Sequence, residues 1–187
     1  DFSNHAATAG LLAYCTARKL PVVIATTGQT EEERAQIAQA AAEIPIFFSA
    51  NMSIGIAVLG DLAKKAAAAF PQADIEIIEA HHNQKLDVPS GTALLLAHQI
   101  QQVRQDSPLL IGRHENGRRT AQEIGIHSLR FGAEVGMHEI LISTGSETLT
   151  LKHKAESRSL FADGALKAAA FLSGKPAGLY TMQDLVV

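Results

Sequence analysis

The chain has 187 residues, and 47% of them are hydrophobic, so it can bury the core of one domain or of two small ones. A net charge of −3, without a basic run carrying interleaved aromatics, argues against nucleic acid or an anionic membrane as partner, and no apolar run reaches the roughly 18 residues that span a bilayer. Cys15 is the only cysteine, which excludes an intrachain disulfide and a cysteine-based zinc site. We therefore expect a cytoplasmic protein with a small-molecule ligand.

The first part of the chain alternates helices with short apolar strands. The predicted elements are a strand end at 1–3, a helix at 4–19, a strand at 21–25, a helix at 30–42 and a strand at 44–49. Thr30 and Glu33 form the capping-box pattern that opens the second helix. Because a strand end at the first residue implies an earlier strand, we expect further sequence upstream of Asp1.

This alternation predicts an α/β fold with a partial, Rossmann-like, doubly wound parallel sheet. Ligands of such sheets bind beyond the carboxyl ends of the strands. The segments that follow the two predicted strands are Ala25-Thr26-Thr27-Gly28 and Ser49-Ala50-Asn51-Met52. We expect these two loops to contact a ligand.

The second part of the chain changes character. Its predicted elements are a helix at 53–70, a strand at 75–79, a helix at 92–104, strands at 124–131, 136–144 and 147–155, and a final helix at 160–172. In the last strand, apolar Leu149 and Leu151 alternate with Thr150 and Lys152, which is typical of a strand with one buried face. We expect an α+β domain with an open mixed sheet.

The segment from Glu79 to Ala93, EAHHNQKLDVPSGTA, joins the predicted strand to the next helix. His81 and His82 are consecutive in a strand, so their side chains point to opposite faces, which argues against joint ligation of a metal. The Ser90-Gly91-Thr92 helix start offers free N–H groups and the positive end of the helix dipole. With Lys85 nearby, this pattern favours a bound carboxylate beside an imidazole that exchanges a proton.

The same segment resembles the signature of the dihydrodipicolinate reductase family, also called 4-hydroxy-tetrahydrodipicolinate reductases. The resemblance runs along the whole chain through the segments 25–28, 49–53, 130–138 and 153–161. It implies a remnant of a dinucleotide-binding domain at 1–52, a substrate-binding and oligomerisation domain at 53–157, and a C-terminal helix at 158–187 that returns to the first domain. It also implies a homotetramer that reduces a cyclic dicarboxylate of lysine and diaminopimelate biosynthesis with NADPH or NADH.

Roles follow from the resemblance for individual residues. His81 would exchange the catalytic proton, with Lys85 as its partner acid. The substrate carboxylates would be held by His82, Lys85, Ser90, Gly91 and Thr92. The nicotinamide end of the cofactor would be contacted by Ala25, Thr26, Thr27, Ser49, Ala50, Asn51 and Met52. No residue is expected to bind a metal.

Two departures from the family pattern keep alternatives open. Ala25 stands where the family usually has glycine, and the sequence contains no G-x-G-x-x-G turn, so we expect the pyrophosphate-binding part to lie outside this chain. One alternative is therefore a tetrameric dicarboxylate-binding module without catalysis. A weaker alternative is a metal-dependent hydrolase that uses His81 and His82.

Overall fold

The computed structural model describes residues 1–186, which fold into two compact units. The first combines Asp1–Ile54 with the chain from Ser159 onward, and the second is Gly55–Arg158. Across residues 1–186, no helix combines the length and the apolar character needed to cross a bilayer.

Residues 1–186 contain five α-helices and eight β-strands. In chain order they are α1 Thr8–Arg18, β1 Val22–Ile24, α2 Glu31–Ala40, β2 Pro45–Phe48, α3 Ile54–Ala69, β3 Asp74–His81, α4 Gly91–Gln101, β4 Leu109–Ile111, β5 Ile124–Arg130, β6 Gly136–Ser143, β7 Thr148–Ala155, α5 Ser159–Leu172 and β8 Gly178–Tyr180. The α/β fold predicted from the sequence is confirmed, with one parallel sheet and one mixed sheet.

The first unit is built on a parallel sheet in the order β1-β2-β8. Ile24, Ile46 and Phe47 are fully buried, as expected for apolar strands that are covered on both faces. Helix α5 packs against β1 and β2. The predicted capping box at the start of α2 is confirmed, because Thr30 and Glu33 exchange hydrogen bonds between their side chains and backbone N–H groups.

The second unit is built on a five-stranded mixed sheet in the order β4-β5-β3-β6-β7. Strand β3 lies at its centre, parallel to β5 and antiparallel to β6. Alternate residues of β3, starting with Ile75 and Ile77, are fully buried in a core that they share with residues of α3 and α4. The central strand therefore carries one face of buried side chains towards its carboxyl end.

Two short strands, β4 and β8, were not predicted from the sequence. Strands β4 and β8 have three residues each, too few to show a period of two along the chain. They exist because β4 pairs with β5, the next strand along the chain, and β8 pairs with β2, which lies far away in sequence. Tertiary pairing defines these strands, and local sequence does not.

Candidate active site

The buried face of β3 changes from apolar to polar near its carboxyl end. Glu79 and His81 continue the row of Ile75 and Ile77, and both are buried. The sheet register places Ser128 of β5 and His138 of β6 beside Glu79. Residues in register share a sheet face, so a cluster of polar side chains forms at one end of the apolar core.

Glu79 is the centre of this cluster, and its side chain has no exposed surface. Its carboxylate accepts hydrogen bonds from Arg130 Nη1 at 2.9 Å and Nη2 at 2.8 Å, and from the Ser90 N–H at 3.1 Å. The fourth partner is His81 Nδ1, at 2.6 Å. Burial alone would raise the pKa of Glu79, but the hydrogen bonds from His81 and Arg130 outweigh it and hold this pKa well below its usual range. Glu79 is therefore an anion.

The two ring nitrogens of His81 have different surroundings: Nδ1 bonds Glu79, and Nε2 lies beside Gly136. Nδ1 faces the Glu79 carboxylate, and about a tenth of the side chain remains exposed. A Cβ added at Gly136 would lie 3.1 Å from Nε2, so the glycine leaves room for this side of the ring. The arrangement can exchange a proton at Nε2 while Nδ1 stays bonded to Glu79.

Ser90 is the N-cap of helix α4, and its backbone and side chain both bond other groups of the protein. Its Oγ accepts from the Ala93 N–H at 3.2 Å as an N-cap, and its own N–H donates to Glu79. Ser90 is buried, whereas Gly91 is exposed and Thr92 is half-buried. Of the three residues at the predicted helix start, Gly91 and Thr92 are the ones that a ligand can reach directly.

His138 forms the inner wall of the cluster. Its Nε2 lies 3.3 Å from Ser90 Oγ, and its ring meets that of His81 edge-on with centroids 5.2 Å apart. Burial, and secondarily the positive charge that His81 can carry, lowers the pKa of His138 to about 3. His138 is therefore a neutral ring near neutral pH.

This burial predicts that acid destabilises the second unit. The pKa of His138 is about 3 when folded and roughly 6.5 when unfolded, so the unfolded chain binds the extra proton. Stability is then complete above pH ~6.5 and falls as the pH drops towards 3. Between pH 6.5 and 5, we expect His138 to account for a loss of about 1.5 kcal/mol.

Urea unfolding of the wild type and of His138→Gln at the two pH values measures this contribution, because the variant should lose much less stability on acidification. His114→Gln is the matched control, since the His114 side chain is 81% exposed. Equal acid sensitivity in wild type and His138→Gln would contradict the assignment.

The loop after β3 carries the remaining candidate residues. Lys85 Nζ lies 2.8 Å from Asp87 Oδ1, and Arg130 Nη2 donates to the Asp87 carbonyl at 2.7 Å. Burial raises the pKa of Asp87, but the hydrogen bond and charge of Lys85 outweigh it, so this pKa is lowered. His82 is half-buried. Arg130 thus contacts both the buried carboxylate and the loop that presents Lys85.

In the first unit, the two predicted cofactor loops follow neighbouring parallel strands. Ile24 and Phe48 are in register, so the loops at 25–27 and 49–52 leave the same edge of the sheet. The first is held by Thr26 Oγ1 donating to Asp1 Oδ2 at 2.7 Å, and the second by Ser49 Oγ donating to the Asn51 carbonyl at 2.7 Å. The two loops therefore lie at the edge where sheets of this kind bind their ligands.

The structure brings together His81, Lys85, Ser90, Gly91 and Thr92 around the carboxyl end of β3. The sequence interpretation assigned no role to three residues that complete this cluster: Glu79, Arg130 and His138. One local signal was available, since Glu79 and His81 are two apart in a strand and so share a face. Within residues 1–186, no group of three or more His, Cys, Asp or Glu side chains is arranged to hold a metal ion.

Comparisons with known proteins agree with this geometry. The family models for the N-terminus and the C-terminus of dihydrodipicolinate reductase match residues 1–52 and 55–186. The chain is 50% identical to a 4-hydroxy-tetrahydrodipicolinate reductase of Caldanaerobacter subterraneus, over 100% of this chain and 75% of that protein. It is 49% identical to the enzyme of that name from Clostridium tetani, over 100% of this chain and 74% of that protein.

A solved structure, the dipicolinate-bound dihydrodipicolinate reductase from Paenisporosarcina sp. TG-14, shares the fold with a TM-score of 0.80 and 28% identity. The match covers 100% of this chain and 72% of that one. The sequence matches and the common fold agree along the whole chain. This chain belongs to the dihydrodipicolinate reductase family.

Proposed function

We propose that this protein reduces 4-hydroxy-tetrahydrodipicolinate to tetrahydrodipicolinate with NAD(P)H, a step of lysine and diaminopimelate biosynthesis. The observation that carries the proposal is the His81 imidazole bonded to buried Glu79 beside the start of α4, in a chain of this family.

We place the reaction in the cytoplasm, because the buried, unpaired thiol of Cys15 suits a reducing compartment.

The reaction replaces the 4-hydroxyl of the substrate by hydrogen, so one hydride and one proton enter and one water leaves. The bound nicotinamide supplies the hydride, and the protein supplies position and charge. His81 Nε2 gives the proton, and Glu79 stabilises the imidazolium from the other side of the ring. Lys85 is the partner acid, and its ammonium neutralises negative charge on the substrate.

The substrate carboxylates bind at the start of α4 and along the loop that precedes it. Lys85 and His82 offer charged or polar side chains, while Gly91 and Thr92 lie at the positive end of the helix dipole, where the Gly91 N–H also bonds the Asp87 carboxylate. Ser90 supports this surface from beneath as the N-cap. Its contribution to binding is therefore to hold the helix start in shape.

The nicotinamide end of the cofactor binds along the loops Ala25-Thr26-Thr27 and Ser49-Ala50-Asn51-Met52. Support comes from their common position at the carboxyl edge of the parallel sheet. Both NADH and NADPH carry the same nicotinamide, so both are compatible with this surface.

Binding of a planar diacid tests the carboxylate site without any cofactor. Dipicolinate should bind the protein where pyridine does not, because charge-assisted hydrogen bonds need the two carboxylates. Thr92→Val keeps the side-chain volume and should weaken dipicolinate binding by about 1–3 kcal/mol if the hydroxyl bonds a buried carboxylate. Calorimetric titration measures both effects, and added salt should weaken the complex.

Thr150→Val is the matched control, since Thr150 is an exposed residue of β7 outside the candidate site. It should bind dipicolinate as the wild type does. Equal affinity for dipicolinate and pyridine, or an unchanged affinity in Thr92→Val, would remove the carboxylate site from the proposal.

We also propose that the protein assembles as a homotetramer through the mixed sheet. The sheet face opposite the core carries Ile78, Met137 and Leu141, which are only half-buried, and Leu129, which is 47% exposed. A partly exposed apolar sheet face favours association with a second copy. Light scattering should give a tetramer at micromolar concentration, and a monomeric mass would contradict the assembly.

A further inference from the structure

We propose that Glu79, held by Arg130, is a positioning residue that keeps hydrogen on Nδ1 of His81 and thereby makes Nε2 the proton-exchanging atom. The inference rests on the proposed function, because it takes His81 as the acid. Glu79 itself has no exposed side-chain surface, so it does not touch substrate. Any effect of Glu79 on the reaction passes through the groups that it bonds.

The hydrogen bond between Glu79 and His81 determines which ring nitrogen of His81 carries hydrogen. An ionised carboxylate can only accept hydrogen bonds, so the contact of 2.6 Å requires a hydrogen on Nδ1. That hydrogen is present in the neutral ring and in the imidazolium alike. Nε2 is then the nitrogen at which the proton comes and goes, and it is the atom that faces the space beside Gly136.

Arg130 immobilises Glu79 and links it to the loop of Lys85. Its two terminal nitrogens bond both oxygens of the Glu79 carboxylate, a planar geometry that lysine cannot reproduce. Nη2 also donates to the carbonyl of Asp87, whose side chain pairs with Lys85. One guanidinium therefore sets the orientation of the acid His81 and supports the loop that carries the other proposed acid.

The charges around His81 make Glu79 the anion that bonds its ring. From β6, neutral His138 contacts the ring; from β7, His153 lies in register with His138; from β5, Arg130 adds a positive charge. From the loop, Lys85 is positive and already paired with Asp87. Removing the Glu79 carboxylate should therefore release the ring from its tautomer.

The experiment compares Glu79→Gln with Glu79→Asp in the complete protein. Nitrogen-15 spectra of histidine-labelled protein, assigned with His81→Gln, should show hydrogen on Nδ1 in the wild type. In Glu79→Gln a population of neutral rings with hydrogen on Nε2 and none on Nδ1 should appear. With NADPH and 4-hydroxy-tetrahydrodipicolinate, kcat should fall on the order of 10²-fold with KM changed less than threefold, since a misplaced acid affects the proton transfer.

The tautomer of His81 separates positioning from a structural role, because Glu79→Gln keeps the size of the side chain and removes the carboxylate that requires hydrogen on Nδ1. Glu79→Asp keeps the charge and should recover the wild-type tautomer and part of kcat. Ile77→Val, buried two residues earlier on the same strand face, controls for destabilisation and should leave the tautomer unchanged.

If Glu79→Gln does not fold, a second variant provides the same test. Glu79→Gln/Arg130→Gln removes both charges, so neither is left unpaired, and it should show the same loss of tautomer. A neutral His81 ring with hydrogen on Nε2 and none on Nδ1 in the wild type, or turnover within twofold of wild type in a folded Glu79→Gln, would overturn the inference. A wild-type protein with the expected tautomer but without reductase activity would instead contradict the proposed function.

Discussion

Replacement of His81 by alanine should lower turnover by about 10²–10⁴-fold, the usual contribution of a general acid, with a much smaller effect on substrate binding. The reason lies in the geometry: His81 bonds Glu79 through Nδ1 and leaves Nε2 for the proton. Steady-state kinetics with NADPH should show a fall in kcat with nearly constant KM, and dipicolinate should still bind in calorimetry.

Lys85→Ala should behave differently, because Lys85 serves both charge and proton transfer in the proposed mechanism. Both kcat and substrate affinity should fall. His82→Ala should affect affinity more than turnover. If His81→Ala kept normal turnover while His82→Ala lost it, the proton donor would be His82 and the Glu79 contact would have only a structural meaning.

Most helices and strands could be predicted because the patterns that indicate them lie within a few consecutive residues. The Thr30–Glu33 capping box acts within one helical turn, and it occurs at the predicted place. The apolar strands of both sheets could be identified from their composition and periodicity. Strands β4 and β8 could not, since each is a three-residue segment whose identity depends on a partner strand elsewhere in the chain.

In the candidate site too, residues that are neighbours in the sequence were predicted, and residues that meet only through strand pairing were not. His81, Lys85 and the start of α4 lie within one continuous segment, so their pattern was visible in the sequence. Arg130 lies 51 residues from Glu79, and His138 lies 48 residues from Ser90. Their contacts depend on the register of β3 with β5 and β6, which hydrophobic periodicity alone does not determine.

Helix α5 approaches the second predicted cofactor loop, at 49–52, more closely than any residue but glycine would allow. A Cβ on Gly164 would collide with the carbonyl oxygen of Met52, and its next contacts are also with Met52. A backbone carbonyl cannot rotate away as a flexible side chain can. The close approach explains why an otherwise helix-weakening glycine occupies the interior of α5.

Gly164→Ala should therefore destabilise the first unit, by up to roughly 2 kcal/mol after the gain in helix propensity is subtracted. Because Met52 belongs to the proposed nicotinamide loop, the KM for NADPH should rise more than the KM for the dicarboxylate. Thermal unfolding and steady-state kinetics measure the two effects. Gly10→Ala in α1 is the matched control: nothing lies within 4 Å of its added Cβ, so it should be neutral or slightly stabilising. A Gly164→Ala protein as stable as Gly10→Ala would show that α5 can move away from Met52.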